Sequence, residues 1–167
     1  ALMIGLIVGG IDALFGRVLI AITDFRGRYI QILIWFLPIA GLFICWMYHR
    51  FNEMSLKGMT LVLETAQGKR ADIPLALVPL VMVGTWITHL FGGSAGREGV
   101  AVQIGATLSH WFARRFKFAD NRTILLIAGM AAGFGGLFQT PFAAVFFAME
   151  VVVTGKMLYQ AFLPSLV

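Results

Sequence analysis

Long apolar runs separated by short polar clusters dominate this chain. Residues 1 to about 23 predict a first helix, in which Gly5 and Gly9 stand at the GxxxG spacing that permits close helix contact and also arises often by chance. Tyr29 to Tyr48 carries no charged residue and, at about 20 residues, is long enough to cross a bilayer. Its Trp35, Trp46 and Tyr48 suit either interface anchors or packing inside a bundle. Asn52 to Lys69 is only moderately apolar, too short and too polar for a span. Ile73 to Gly96 is again uncharged, with Pro74 and Pro79 near its start, where proline is best tolerated. Glu98 to Ala113 offers about 24 Å of helix before Arg114 and Arg115, short of the roughly 30 Å of hydrocarbon. Thr123 to Met149 overshoots a single span, but Gly133, Gly135, Gly136 and Pro141 interrupt it, which predicts two shorter helices joined near Gln139 to Pro141. A last segment begins near Lys156.

Full spans beside short, broken helices predict an all-α, polytopic membrane bundle. Non-helical backbone at membrane depth is tolerated only where protein or a water-filled cavity shields it, so this mixture points to a transport site. Composition leads to the same class: 59% of residues are apolar, 13% are charged, and mean hydropathy is +0.87. The net charge of +5 sits mainly in clusters between apolar runs, at Arg26 and Arg28, His49 and Arg50, Lys69 and Arg70, Arg114 to Lys117, and Lys156. These read as solvated loops at the headgroup level and exclude nucleic acid as a partner. The lone Cys45 cannot form a disulfide within the chain. Ala1 and Val167 both lie inside apolar segments, so the chain reads as a piece of a longer protein, and its opening run, with Asp12 and Arg17, lacks the pattern of a signal peptide.

Against this background Glu98 is the residue that needs a reason, because an ionisable group at membrane depth is costly unless paired, hydrated or neutralised. It stands in Gly-Ser-Ala-Gly-Arg-Glu-Gly, residues 93 to 99, where glycine would let backbone amides approach an anion closely. A helix beginning at about Glu98 or Gly99 would present unpaired N–H groups and the positive end of its dipole, a place for an anion. The carboxylate of Glu98 would compete for that place, and protonation would weaken its hold, making one residue both gate and proton carrier. The structural alternative is that Glu98 pairs with Arg97 or another cation, although adjacent side chains on a helix do not face each other.

Gly96-Arg97-Glu98-Gly99 with Val102-Gln103-Ile104-Gly105-Ala106 resembles the GREGPxVQIGA signature of the CLC family of anion channels and proton-coupled anion transporters. The later Ala131-Ala132-Gly133-Phe134 and Phe138 to Glu150 resemble that family's AAGxxxxFNAPxxGxxFxxE stretch. The resemblance covers nearly the whole chain and implies a CLC-type bundle of tilted and broken helices. Residues 1-167 would then be most of the first of two inverted halves, truncated at both ends, in a homodimer with one anion pathway per subunit. It also implies a multi-pass location in the lipid bilayer of a bacterial inner membrane. Three departures refine it. Val100 replaces the proline after GREG. The segment Lys57-Gly58-Met59-Thr60 lacks the serine and proline of the chloride-preferring loop. Val151 stands where chloride exchangers carry an internal proton glutamate. The first two resemble the fluoride-selective bacterial branch, whose members also lack that internal glutamate. The resemblance thus implies fluoride export coupled to proton import, with Glu98 as gate and proton carrier. Met59, Gly58, Gly96, Arg97, Gly99 and Val100 would bind the anion, and Glu150 would line a vestibule or cap a helix end. No cofactor or metal and no enzymatic activity are implied. A chloride channel or chloride/proton antiporter of the same family, and a non-transporting structural membrane subunit, are the alternatives.

Other features are weaker. Gly92 to Gly96 matches G-x-S-x-G, but a hydrolase requires a strand before that serine, and the flanks here read as helices. His89 and His110 have no second ligand at i+3 or i+4 and read as packing residues. Gln139 and Thr140 could offer polar groups to an opened helix turn, and Asp12 and Arg17, five residues apart, could pair within or between helices.

Overall fold

In the computed structural model, which describes residues 1–69, 72–116, 122–152 and 157–166, every regular element is helical. The helices are α1 (Leu2–Leu33), α2 (Leu37–Phe51), α3 (Met59–Ala66), α4 (Leu77–Leu90), α5 (Arg97–Arg115), α6 (Arg122–Phe138), α7 (Pro141–Val151) and α8 (Phe162–Leu166). Arg70, Lys117, Asp120 and Lys156 lie outside the described residues. The α6 to α7 break falls where Pro141 predicts it, and Gln139 takes a left-handed φ of 56° while its amide donates to the Gly135 carbonyl at 2.8 Å, closing α6.

The first helix extends about ten residues beyond its predicted end. Arg26 and Arg28 therefore lie on a helix and not in a solvated loop. The Arg26 guanidinium donates to the His89 carbonyl in the last turn of α4 at 3.3 Å, a tertiary cap invisible to local patterning. Helical dihedrals continue through a 3-10 turn at Ile34–Phe36 into α2, giving an apolar run from Leu2 to Phe51. That run bends sharply. Trp86 of α4 donates to the Phe15 carbonyl at 3.3 Å, while Gly84, two residues earlier, packs against Tyr48. A straight helix would hold residues 15 and 48 roughly 50 Å apart. Pro38, with no amide to bond the Ile34 carbonyl, supplies the reason for the bend. Trp35 and Trp46 are exposed, whereas Tyr48 is a packing residue against α4.

At the centre lies α5, buried at every position from Val100 to His110. On one side Val102 and Ala106 join the core made with α3, α6 and α7; on the other Val100, Ile104 and Leu108 join the core made with α1 and α4. The α5 and α6 backbones run against each other: a Cβ added to Gly105 would collide with the Gly129 carbonyl, and one on Gly133 with the Ala101 carbonyl. The far end of α5 is tied to the chain entering α4. There Asp72 pairs with Arg114 and faces His110 Nε2 at 3.3 Å. Partial burial pushes the Asp72 carboxyl up, but hydrogen bonding and attraction from Arg114, with His110 adding to them, outweigh it and hold the group below the usual carboxylate range.

Backbone-to-backbone contact leaves no room for a methyl group. Gly105→Ala and Gly129→Ala are each expected to cost about 1–3 kcal/mol or more through overpacking, lowering the thermal transition of the purified protein in detergent. Gly10→Ala, where a new Cβ meets nothing within 4 Å, should cost nothing. Identical transitions for Gly105→Ala and wild type would contradict this packing.

Candidate functional site

Two helix starts form the site. An Asn52-capped 3-10 turn at Glu53–Lys57, in which Asn52 Oδ1 accepts from the Ser55 amide at 3.1 Å, carries the chain to Gly58. Gly58 has φ 49° and ψ −122°, a conformation open to glycine, and α3 starts at the next residue. The second start follows Gly92, at φ 83°, and the irregular segment to Gly96, after which α5 begins at Arg97, one to two residues earlier than predicted. No side chain caps either helix. The amides of Arg97, Glu98 and Gly99, and those of Met59, Thr60 and Leu61, thus have no intrahelical partner. Gly-Ser-Ala-Gly stands between two helices, so Ser94 lacks the strand-to-helix turn of a hydrolase nucleophile.

Gln103 joins the two starts. Its amide lies within ordinary contact of the Cβ positions of both glycines, 3.6 Å for Oε1 at Gly58 and 3.8 Å for Nε2 at Gly99. Gln103 is only 8% exposed, and its Oε1 has no hydrogen-bond partner among the described residues. A buried amide oxygen without a donor costs about 1–3 kcal/mol; the half of this amide that can meet an anion is its Nε2 donor, on the Gly99 side. Sequence reading did not single out Gln103. Its i+4 spacing from Gly99 was visible, but Gly58 is 45 residues away and only the fold brings it there.

Glu98, in the first turn of α5, is exposed and forms no ion pair or hydrogen bond among the described residues. Its Oε2 lies 3.8 Å from the Cβ position of Gly96, so the carboxylate folds back over the helix start. It is not locked against Arg97. The Arg97 side chain instead borders a cavity of about 380 Å³ shared with Arg26, His89 and Ser94, on the α1 and α4 side of the α5 tip. Met59 is half-buried, resting on the core of α3, α5, α6 and α7. Val100 is buried against α1 and α4, and its amide lies one turn in, where helical bonding begins. Glu150 is exposed on the last turn of α7, remote in sequence and element from these groups, and Val151 packs on the core. His89 directs Nδ1 at the Thr85 carbonyl at 2.9 Å, a packing role, as is the contact of buried His110 with Asp72.

Comparison with known proteins places this geometry in a lineage. A family model described as voltage gated chloride channel matches residues 40–167. The chloride/fluoride channel protein of Pseudomonas syringae pv. tomato is 36% identical over 166 residues, which make up 99% of this chain and 36% of that protein. The voltage-gated ClC-type chloride channel ClcB of Salmonella typhi is 28% identical over 120 residues, 71% of this chain and 28% of that protein. A crystal structure of a CLC-type fluoride/proton antiporter superposes with a TM-score of 0.96 at 48% identity, covering 99% of this chain and 42% of that one. The chain therefore spans well under half the length of these relatives. With the family model reaching from α2 to the last residue, and the fold superposing throughout on a solved CLC-type structure, this chain belongs to the voltage gated chloride channel family of membrane proteins.

Proposed function

We propose that the protein carries fluoride out of a bacterial cell across the inner membrane in exchange for protons moving in, as a homodimer of which this chain is most of the first inverted half. The observation that carries the reading is the meeting of two uncapped helix starts, α3 and α5, on the buried Gln103 amide, with the Glu98 carboxylate, unpaired among the described residues, at the tip of α5. Each helix start offers free amides and the positive end of a dipole, worth up to about 2 kcal/mol to a partly buried anion. In this reading Gly58, Met59, Gly96, Gly99 and the Arg97 amide bind the anion, with Val100 closing the turn. Arg26 and Arg97, both bordering the adjoining cavity, raise the local concentration of anions. Ionised, the Glu98 carboxylate holds the α5 tip against a halide; protonated, it releases the tip. Occupancy by the anion is thereby linked to the proton.

Fluoride over chloride is supported by the resemblance of Met59, at the first position of α3, and of Val100 to the fluoride-selective branch, and by the 48% identity to a protein described as a fluoride/proton antiporter. Glu150, exposed on the last turn of α7, lines a vestibule or caps a helix end in this reading.

Three substitutions in the full-length protein, reconstituted in liposomes with fluoride efflux, chloride efflux and proton uptake read together, test the reading. Glu98→Gln should abolish proton uptake while anions still pass; undiminished proton uptake with fluoride transport intact would remove Glu98 from its role. Met59→Ser should shift the ratio of fluoride to chloride efflux toward chloride, and an unmoved ratio rejects Met59 as a selectivity residue. Gln103→Leu, similar in volume, should slow fluoride efflux about tenfold or more, the loss of one buried amide contact of roughly 1.4 kcal/mol; wild-type efflux would show that the amide does not serve the anion.

A further inference from the structure

Asp12 is the second acidic side chain placed at depth, and neither the resemblance nor the site above uses it. It sits about ten residues into α1, flanked by apolar turns, and is 2% exposed. Both carboxyl oxygens are buried and neither has a hydrogen-bond partner among the described residues. The expected pairing with Arg17 does not form, because five residues turn the two side chains to different faces of α1. Asp12 packs instead on α6, where the Cβ position of Gly136 lies 3.5 Å from Oδ2.

The elements packed on α1 bring it no counter-charge. On α4 the only titratable group is His89, which lies against the Arg26 end of α1. On α6 it is Arg122, at the opposite end of that helix from Gly136. On α5, Arg97 and Glu98 open the helix, and Arg97 borders the cavity at Leu19, Thr23 and Arg26; Leu19 alone is seven residues, about 10 Å, along α1 from Asp12. His110, Arg114 and Arg115 close α5 beside Asp72 or at its exposed end.

An isolated carboxylate in such surroundings is costly unless it is paired, hydrated or neutralised by a proton. A cavity of about 290 Å³ between α1, α6 and α8 lies next to it: Gly136, on which the carboxyl packs, and Gly9, one turn before it on α1, line that cavity, and Asp12 stands behind this wall. Ser165 lines the same cavity with a buried hydroxyl that has no partner among the described residues. Small residues leave the space and Ser165 gives it a polar group, a setting in which water enters a protein interior.

We propose that Asp12 is a second proton-binding carboxyl of this protein, exchanging its proton through the cavity bordered by Gly9, Gly136 and Ser165 and serving the proton side of transport. The proposal rests on the antiport reading for its role in transport and stands apart from it for proton binding itself. It supplies an internal proton site in a chain where Val151 provides none.

Infrared difference spectra of the full-length protein in lipid, taken across a pH series, test proton binding. A carbonyl stretch of a protonated carboxylic acid should titrate in wild type, vanish in Asp12→Asn and shift in Asp12→Glu. Liposome flux tests its use: Asp12→Asn should keep fluoride efflux and lose proton uptake severalfold, and Asp12→Glu should restore it. A spectrum identical in wild type and Asp12→Asn overturns the proposal, as does an unchanged ratio of protons to fluoride in that variant. If Asp12→Asn yields no folded protein, the position of the titrating band in Asp12→Glu decides. Should wild type itself carry no protons, the antiport reading fails while the infrared titration still decides Asp12.

Discussion

The contact on which the rest depends is the backbone of α5 lying directly on that of α6. Gly105, Gly129 and Gly133 remove the side chains that would hold the two helices at the usual distance. Close approach recruits dispersion along the whole interface, which matters in a membrane because lipid tails offer no hydrophobic gain for helix association. It also places α5 in the middle, between two apolar cores.

A central helix has a start whose backbone amides must be dealt with. In a soluble protein a serine or aspartate would cap it. Here Gly96 and Gly58 precede the two helices and contribute no side chain, so the amides remain available. The arrangement stores unsatisfied hydrogen-bonding capacity at one place and fills the gap with a single buried glutamine. Buried polar atoms left without partners are destabilising to the fold, and Gln103 Oε1 and the Asp12 carboxyl are among those that carry this cost among the described residues.

The exposed apolar surface follows from the same architecture. Trp35, Leu42, Phe142 and Leu163 are largely exposed in this chain, as befits helices that meet lipid or the remainder of a longer protein, since relatives extend well beyond the matched region. Short helices such as α3 and α7 have lengths dictated by where their starts must lie.

Hydrophobic runs and glycine and proline positions were enough to determine the all-helical membrane class, the α6 to α7 break, the short α3 region and the start of α5 to within two residues, because these are local consequences of composition and backbone chemistry. The Gly96 to Gly99 motif likewise identified Glu98 without coordinates. Tertiary structure alone decided the rest. It folded the Leu2 to Phe51 run back on itself through contacts with α4, carried Arg26 onto a helix by giving it the His89 carbonyl, and turned Arg97 away from Glu98. It brought Gly58 to Gln103 across 45 residues and left Asp12 without Arg17. Each of these is a pairing between distant segments, and a linear pattern records which side chains must be buried but not which partners burial will supply.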